Sequence, residues 1–267
     1  MYKSRVVRLK RKDIVMPIPN RHMLSSFTDL AQPEDDPQTQ MLRAHSAQPG
    51  NTPRLFHGPI GCGKTSIGRL LLRSIYCHGG QQPLQDPCGE CELCKEISRA
   101  PLNGTMLKEW NGLTTSIDRI VELWPYLISK PLFEETVFQG SLIFVDDVHL
   151  ASRQVQLWLA ERIDYEQRVH FIFTSSKPDS IQPRLMDRLS AVKLSYPTAE
   201  QTRAWLQRIC DRSEIEYETD ALDLIATRTD ARPRQSYYAL FECIQTDGRV
   251  TVPAATAYTD ARIAEVA

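Results

Sequence analysis

Gly58-Pro59-Ile60-Gly61-Cys62-Gly63-Lys64-Thr65, running on into Ser66, is the stretch on which the fold turns. It is a complete G-x-x-x-x-G-K-[ST] pattern, and its chemistry explains its spelling. Glycines free the backbone to curl its N–H groups around phosphates, and a following helix presents its positive N-terminus to the same anion. Lys64 is expected to reach the β- and γ-phosphates of ATP and Thr65 to ligate Mg²⁺. The expected ATP-binding set is Gly58, Pro59, Gly61, Cys62, Gly63, Lys64, Thr65 and Ser66. A chance match in a glycine-rich turn needs no particular surroundings. This loop lies between Leu55-Phe56-His57, which reads as a short buried strand, and a run in which Ile67, Leu70, Leu71 and Ile75 recur at helical spacing up to Cys77.

Downstream, Leu142-Ile143-Phe144-Val145 is the continuous apolar run expected of a strand buried on both faces of a parallel sheet. Asp146 and Asp147 follow it. Asp146 is expected to hold Mg²⁺ through water, and Asp147 to orient or deprotonate an attacking water. Ile117, Ile120, Val121 and Trp124 mark a helix begun by Thr115 or Ser116 and stopped at Pro125; Val155, Trp158, Leu159 and Ile163 mark another. Strands are expected at Val169–Phe173 and from Ala191 to Tyr196. Strand–helix alternation of this kind indicates an open α/β sheet.

Before the loop, the polar stretch from Met16 to Pro53 carries an amphipathic piece near Phe27–Leu30 and Met41–Leu42. Beyond Pro197 the strand signals stop. Thr198-x-x-Gln201 reads as a capping box opening a helix to Cys210, and helical stretches follow at Asp220–Arg228 and Arg234–Thr246. The expected organisation is a basic N-terminal segment (1–22), a nucleotide-binding core (23–196), a helical lid (197–252) and a C-terminal tail (253–267).

Cys77, Cys88, Cys91 and Cys94 place four thiols in a short segment between the loop helix and the apolar strand. Four thiolates match the tetrahedral preference of structural Zn²⁺, and two-residue spacers let neighbouring sulfurs converge on one ion. Pro87, Gly89 and the lack of apolar periodicity suit a knuckle that a metal folds. An iron–sulfur cluster and unligated core cysteines are the alternatives; closed structural zinc is preferred because no His or acid stands ready to open the site. Cys62, Cys210 and Cys243 have no partner in sequence and are expected to be buried spectators.

The chain has 267 residues, with 32 Lys plus Arg against 33 Asp plus Glu, a net charge of -1. That balance excludes a histone-like binder driven by bulk positive charge. It leaves room for a protein that meets DNA through one face. The charge is uneven: residues 1–22 hold seven basic residues against Asp13 alone, a local +6 that leaves -7 for the rest. The basic head is expected to be a solvated terminus before it is a DNA contact. No apolar stretch spans a bilayer and no signal peptide opens the chain, so a cytoplasmic protein without membrane partners is expected.

A loop helix ending in a cysteine, a C-x2-C-x2-C knuckle and then an apolar strand with acids resembles, in that order, the tau/gamma-type ATPase subunits of bacterial DNA polymerase III clamp loaders, a family of AAA+ proteins. The resemblance runs from about Phe27 to Val252. Phe27-Thr28-Asp29-Leu30 resembles the family's F-x-D-hydrophobic entry, and Asp146-Asp147-Val148-His149-Leu150 with Ser152 is similar to its D-E-V-H-M/L-x-S Walker B segment. The resemblance implies a P-loop AAA+ core with a parallel sheet and zinc-knuckle insertion, followed by a small helical lid. It implies that Ser175, beside Thr174, is the sensor feeling the γ-phosphate. It further implies that Arg188, with Arg184 as its rival, acts on a neighbouring subunit's ATP, and that Arg234 is the lid's phosphate contact.

There are departures. Asp147 stands where the family has Glu, which predicts slow or partner-dependent hydrolysis. Asp187 and Leu189 replace the Ser and Cys of the family's Ser-Arg-Cys motif, and Ile163-Asp164-Tyr165-Glu166 replaces Leu-Glu-Glu-Pro. Residues 253–267 leave no room for a collar domain. The implied function is an ATP-binding, ATP-hydrolysing clamp-loader-like subunit in DNA replication. Its implied partners are other such subunits, as a hetero- or homo-oligomer, together with a sliding clamp and primer–template DNA. The alternatives are a regulatory nucleotide switch, favoured by Asp147, and a non-hydrolysing structural subunit, disfavoured by the intact loop.

Overall fold

A computed structural model describes residues 24–47, 52–77, 79, 86–91, 94, 95, 107–128, 141–166 and 169–266; the basic head lies outside them. They form two compact units, one from His22 to Tyr196 and one beginning at Pro197. Among the described residues no helix is long and apolar enough to cross a membrane.

The first unit is built on five parallel strands: β1 (Arg54–His57), β2 (Leu107–Asn111), β3 (Ser141–Asp146), β4 (Val169–Ser175) and β5 (Ser190–Lys193), in the order β2-β3-β4-β1-β5. The apolar run of β3 is explained by its two buried faces. Leu142 and Phe144 join a cluster with Phe56, Leu70, Ile172 and Val192, while Ile143 and Val145 join one with Leu55, Trp124, Phe171 and Phe173. Helices α1 (Pro37–Ala47) and α2 (Lys64–Tyr76) supply Leu42, Ile67 and Leu71 to the first cluster. Helices α3 (Ile117–Ile128) and α4 (Arg153–Tyr165) supply Ile120, Val155 and Leu159 to the second. A 3-10 turn, Phe27–Asp29, packs Phe27 on the first face, and a short helix α5, Pro183–Met186, packs Leu185 on the second.

The sequence reading and the structure differ in four places. Strand β2 carried no apolar signal, because only Trp110 of Leu107–Asn111 stands out and the strand lies at the sheet edge. The last strand ends at Lys193, short of Tyr196. Helix α3 continues through Pro125 to Ile128. Pro125 is on the exposed side, so the Val121 carbonyl left without its helical partner faces water, while buried Ile120 and Trp124 anchor the opposite face.

The fourth difference is in the second unit, which holds α6 (Ala199–Arg212), α7 (Thr219–Arg228), α8 (Pro233–Asp247) and α9 (Val252–Val266). The segment expected as a tail is thus nearly all helix, and α9 packs on α7 and α8. Thr251 caps it, accepting from Ala254 N at 3.4 Å, and Pro253 sits in its first turn where a missing N–H costs nothing. The capping box at the head of α6 forms as spelled: Gln201 N donates to Thr198 Oγ1 at 3.1 Å, and Thr198 N donates to Gln201 Oε1 at 2.9 Å.

Candidate nucleotide site and cysteine cluster

In an open parallel sheet the crevice for a ligand lies beyond the carboxyl ends of the strands. Here β1 delivers the loop 58–63 to that edge, between β4 and β5. Gly58 N donates to Ser175 O at 3.2 Å, tying the loop's start to β4. Gly61 (φ 84°) and Gly63 (φ 97°) adopt left-handed conformations that side chains resist, which lets the loop turn sharply into α2. Tyr196 Oη donates to Ile60 O at 2.6 Å and fixes the loop's tip. Cys62 is buried in the core beneath, and Ser66 lies half-buried in the first turn of α2. Lys64 is 92% shielded yet keeps its ammonium at the loop, donating to Gly58 O at 3.0 Å and Pro59 O at 2.9 Å.

The acids at the end of β3 meet this loop. Thr65 Oγ1 donates to Asp146 Oδ1 at 2.8 Å, so the two expected Mg²⁺ ligands from opposite halves of the site are already adjacent. Thr174 at the end of β4 donates from Oγ1 to the same Asp146 oxygen at 2.5 Å and accepts from Asp147 N at 2.9 Å. These residues suit ATP and Mg²⁺: a backbone cradle, one shielded ammonium, and a hydroxyl and a carboxylate within contact of each other.

Of the two neighbouring β4 hydroxyls, the structure brings Thr174 rather than Ser175 onto the acids. The β3–β4 register pairs Val145 with Phe173, so Thr174 comes level with Asp146 and alternation sends Ser175 to the other face. Ser175 is buried, and its Oγ accepts from Lys177 N at 3.1 Å. A second participant without an assigned role in the sequence is His149, whose side chain is 5% exposed. Its Nε2 lies 3.1 Å from Ser176 Oγ and its Nδ1 3.9 Å from Asp147 Oδ1. Its signal in the sequence was its place in the Walker B-like segment Asp146-Asp147-Val148-His149.

Arg188 is engaged by Asp164 in a two-pronged pair, Nε to Oδ1 at 2.8 Å and Nη2 to Oδ2 at 2.6 Å, and its Nη1 donates to Arg184 O at 2.5 Å. Hydrogen bonding from Arg188 holds the Asp164 carboxyl below the usual carboxylate range. Arg184 is exposed, as is Arg234 in the first turn of α8.

At the far end of α2, Cys77 is the helix's cap residue, and its sulfur lies within 4.8 Å of those of Cys88, Cys91 and Cys94, all four mutually. Tetrahedral zinc with bonds of about 2.3 Å needs sulfurs about 3.8 Å apart. Backbone N–H groups already point at the sulfurs: Cys88 N to Cys77 Sγ at 3.2 Å, Glu90 N and Cys91 N to Cys88 Sγ at 3.4 Å each, and Cys94 N to Cys91 Sγ at 3.5 Å. Burial opposes the Cys88 thiolate, but the N–H groups of Cys91 and Glu90 more than offset it and lower that thiol to about 6; burial pushes Cys77 and Cys94 up. The donor set fits structural zinc. Asp86, just ahead of it, accepts from Phe27 N at 2.6 Å and so ties the cluster to the 3-10 turn. Cys210 and Cys243, in contrast, are buried in the second unit, where burial raises their thiols to about 12 and about 11.

Three comparisons bear on this arrangement. The family model described as "ATPase family associated with various cellular activities (AAA)" matches residues 54–195, the span from β1 to just past β5. Among curated proteins, the chain is 30% identical over 209 residues to protein STICHEL-like 3 of Arabidopsis thaliana, covering 74% of this chain and 18% of that one. It is 28% identical to DNA polymerase III subunit gamma of Buchnera aphidicola (68% and 48% covered) and 26% identical to DNA polymerase III subunit tau of Escherichia coli (76% and 31% covered). The chain therefore spans between about a fifth and a half of the length of these relatives. Among solved structures, the RuvB Holliday junction branch migration motor of Thermotoga maritima superposes with a TM-score of 0.57 at 15% identity, covering 84% of this chain and 66% of that one; this likeness is one of fold.

Proposed function

This chain belongs to the AAA family of ATPases and is distantly related to the gamma and tau subunits of DNA polymerase III, and from that premise we propose that it binds and hydrolyses ATP as a clamp-loader-type subunit. The observation that carries the reading is the junction of Thr65, Asp146 and Thr174, which joins the phosphate loop to the acids of β3. In it, loop N–H groups and Lys64 bind the phosphates, and Thr65 and Asp146 hold the cation. Asp147 takes the proton of the attacking water. Mg²⁺, when bound, neutralises charge on the β- and γ-phosphates as it develops. Thr174 sets the Asp146 carboxylate and the Asp147 backbone, beside Ser175, which was expected to sense the γ-phosphate. Cys77, Cys88, Cys91 and Cys94 hold a structural zinc ion.

In this reading ATP closes an oligomer on primer–template DNA or a sliding clamp, and hydrolysis releases it. Contact through a few basic side chains and helix N-termini is compatible with a near-neutral chain. Arg188 and Arg234 would serve across and within subunits; Arg188 would have to leave Asp164 to do so. That engagement favours a second reading, a nucleotide switch that toggles assembly without loading a clamp. Turnover measured with and without primed DNA and a sliding clamp separates them. Stimulation supports the clamp-loader role, and an unchanged rate supports the switch.

A further inference from the structure

We propose that His149 is a positioning residue for Asp147: its imidazole N–H holds one carboxylate oxygen so that the other faces the attacking water. The proposal rests on the reading of Asp147 as the base for ATP hydrolysis.

Asp147 is an awkward base. It has a single methylene between backbone and carboxylate, and its backbone is immobilised. It sits at φ 50°, ψ 49°, a left-handed conformation that residues with a Cβ rarely adopt. Its N–H donates to Thr174 Oγ1, and its carbonyl accepts from Leu150 N at 2.9 Å. The same carbonyl abuts Gly112, where an added Cβ would stand 2.3 Å from the oxygen. With the backbone clamped on both sides, only side-chain rotation can aim the carboxylate.

His149 is placed to do so. Its side chain is 5% exposed against 37% for Asp147, so it backs the carboxylate from the protein side. Its Nδ1 is buried without a hydrogen-bond partner, a costly state for a ring nitrogen, and Asp147 Oδ1 lies 3.9 Å away. In the proposed arrangement the Asp147 side chain turns to bring Oδ1 within hydrogen-bond reach of Nδ1. Ser176 Oγ, 3.1 Å from Nε2, can donate to it, which leaves the ring proton on Nδ1, the atom facing Asp147. Burial holds the imidazole below the ordinary histidine range. Lys177 and Lys64 push the same way and Asp147 and Asp146 against, so the neutral ring prevails at neutral pH. During hydrolysis the Nδ1 proton stays where it is. The water oxygen bonds to the γ-phosphorus, its proton goes to the other Asp147 oxygen, and the bond to the bridging oxygen breaks to leave ADP and phosphate.

The test compares ATP affinity and turnover of the full chain with those of Asp147→Asn and three His149 variants. An asparagine amide nitrogen reaches the position of Nδ1, whereas a glutamine amide reaches that of Nε2. His149→Ala and His149→Gln are expected to lose about tenfold or more in kcat with KM and ATP affinity unchanged, and His149→Asn to stay within about threefold of wild type. In an Asp147→Glu background, whose carboxylate sits one methylene farther out and off His149 Nδ1, His149→Ala should cost less than about threefold. Equal losses in all three variants, parallel loss of ATP affinity, undiminished turnover in His149→Ala, or the same loss in the Asp147→Glu background would each overturn the proposal. Normal turnover by Asp147→Asn would instead overturn the base assignment. A wild-type chain that binds ATP without turning it over even when primed DNA and a sliding clamp are present would overturn the hydrolysis reading, and this proposal with it.

Discussion

Helix α2 carries a different kind of site at each end, about 20 Å apart. At its N-terminus, backbone N–H groups and Lys64 gather where the helix dipole favours an anion; at its C-terminus, four sulfurs gather where it favours a cation. The phosphate end is held by hydrogen bonds that need no ligand: Thr65 to Asp146, Thr174 to both acids, Tyr196 to the loop tip. Among the described residues, the cysteine end shows N–H···S contacts and a tie through Asp86. One end is therefore a preorganised site for a ligand that comes and goes. The other is a cluster of four sulfurs whose donor set fits the structural zinc proposed for it. The two should fail independently.

The largest expected effect is at the cysteine end. Cys91→Ser should reduce zinc content from about one per chain to near zero and expose the knuckle to proteolysis, while ATP affinity changes less than about threefold. Metal analysis and a nucleotide titration on the same sample check both halves. Parallel loss of ATP binding would mean that the two ends of α2 form one site. Next, Lys64→Ala should weaken ATP binding on the order of 100-fold, matching lost charge-assisted hydrogen bonds of about 3 kcal/mol, with zinc retained.

A finer contrast lies within the phosphate end. Thr174→Val should lower turnover about tenfold, because Asp146 and the Asp147 N–H both lose a partner, whereas Ser175→Ala should change it less than about twofold. Steady-state kinetics on the two variants decides which hydroxyl serves the acids. The smallest effect is expected at Asp164, whose folded carboxyl lies below its ordinary range because of Arg188. Such a group adds stability above its unfolded value, which is lost as pH falls through the folded one. Asp164→Asn should therefore lower the melting temperature slightly at pH 7 and not at all in strong acid, as thermal melts at the two pH values would report.

What could be read before any coordinates followed from how the information is stored. The phosphate loop, the acids after β3 and the four cysteines are contiguous spellings whose chemistry is local, and the structure brings the residues of each together. Choosing Thr174 over Ser175 required the register between β3 and β4, which no single segment contains. His149 was legible as part of the Walker B-like segment, but its relation to Asp147 needed its burial and the strained backbone of Asp147. Edge strand β2, Leu107-Lys108-Glu109-Trp110-Asn111, lacks the continuous apolar run that made β3 conspicuous, and α9 is rich in alanine, whose helical preference leaves little apolar periodicity. Thr251 and Pro253 were the readable signs of α9. The Arg188–Asp164 pair joins segments 24 residues apart and could be found only in three dimensions.

The central claim is that the loop from Gly58 to Thr65 holds ATP against the acids of β3. Calorimetric titration of ATP with Mg²⁺ into the zinc-loaded chain tests it most directly. The account predicts about one ATP per chain, bound more weakly when Mg²⁺ is withheld because Thr65 and Asp146 then lack the cation they share. Absence of binding, or binding of equal strength with and without Mg²⁺, would contradict it.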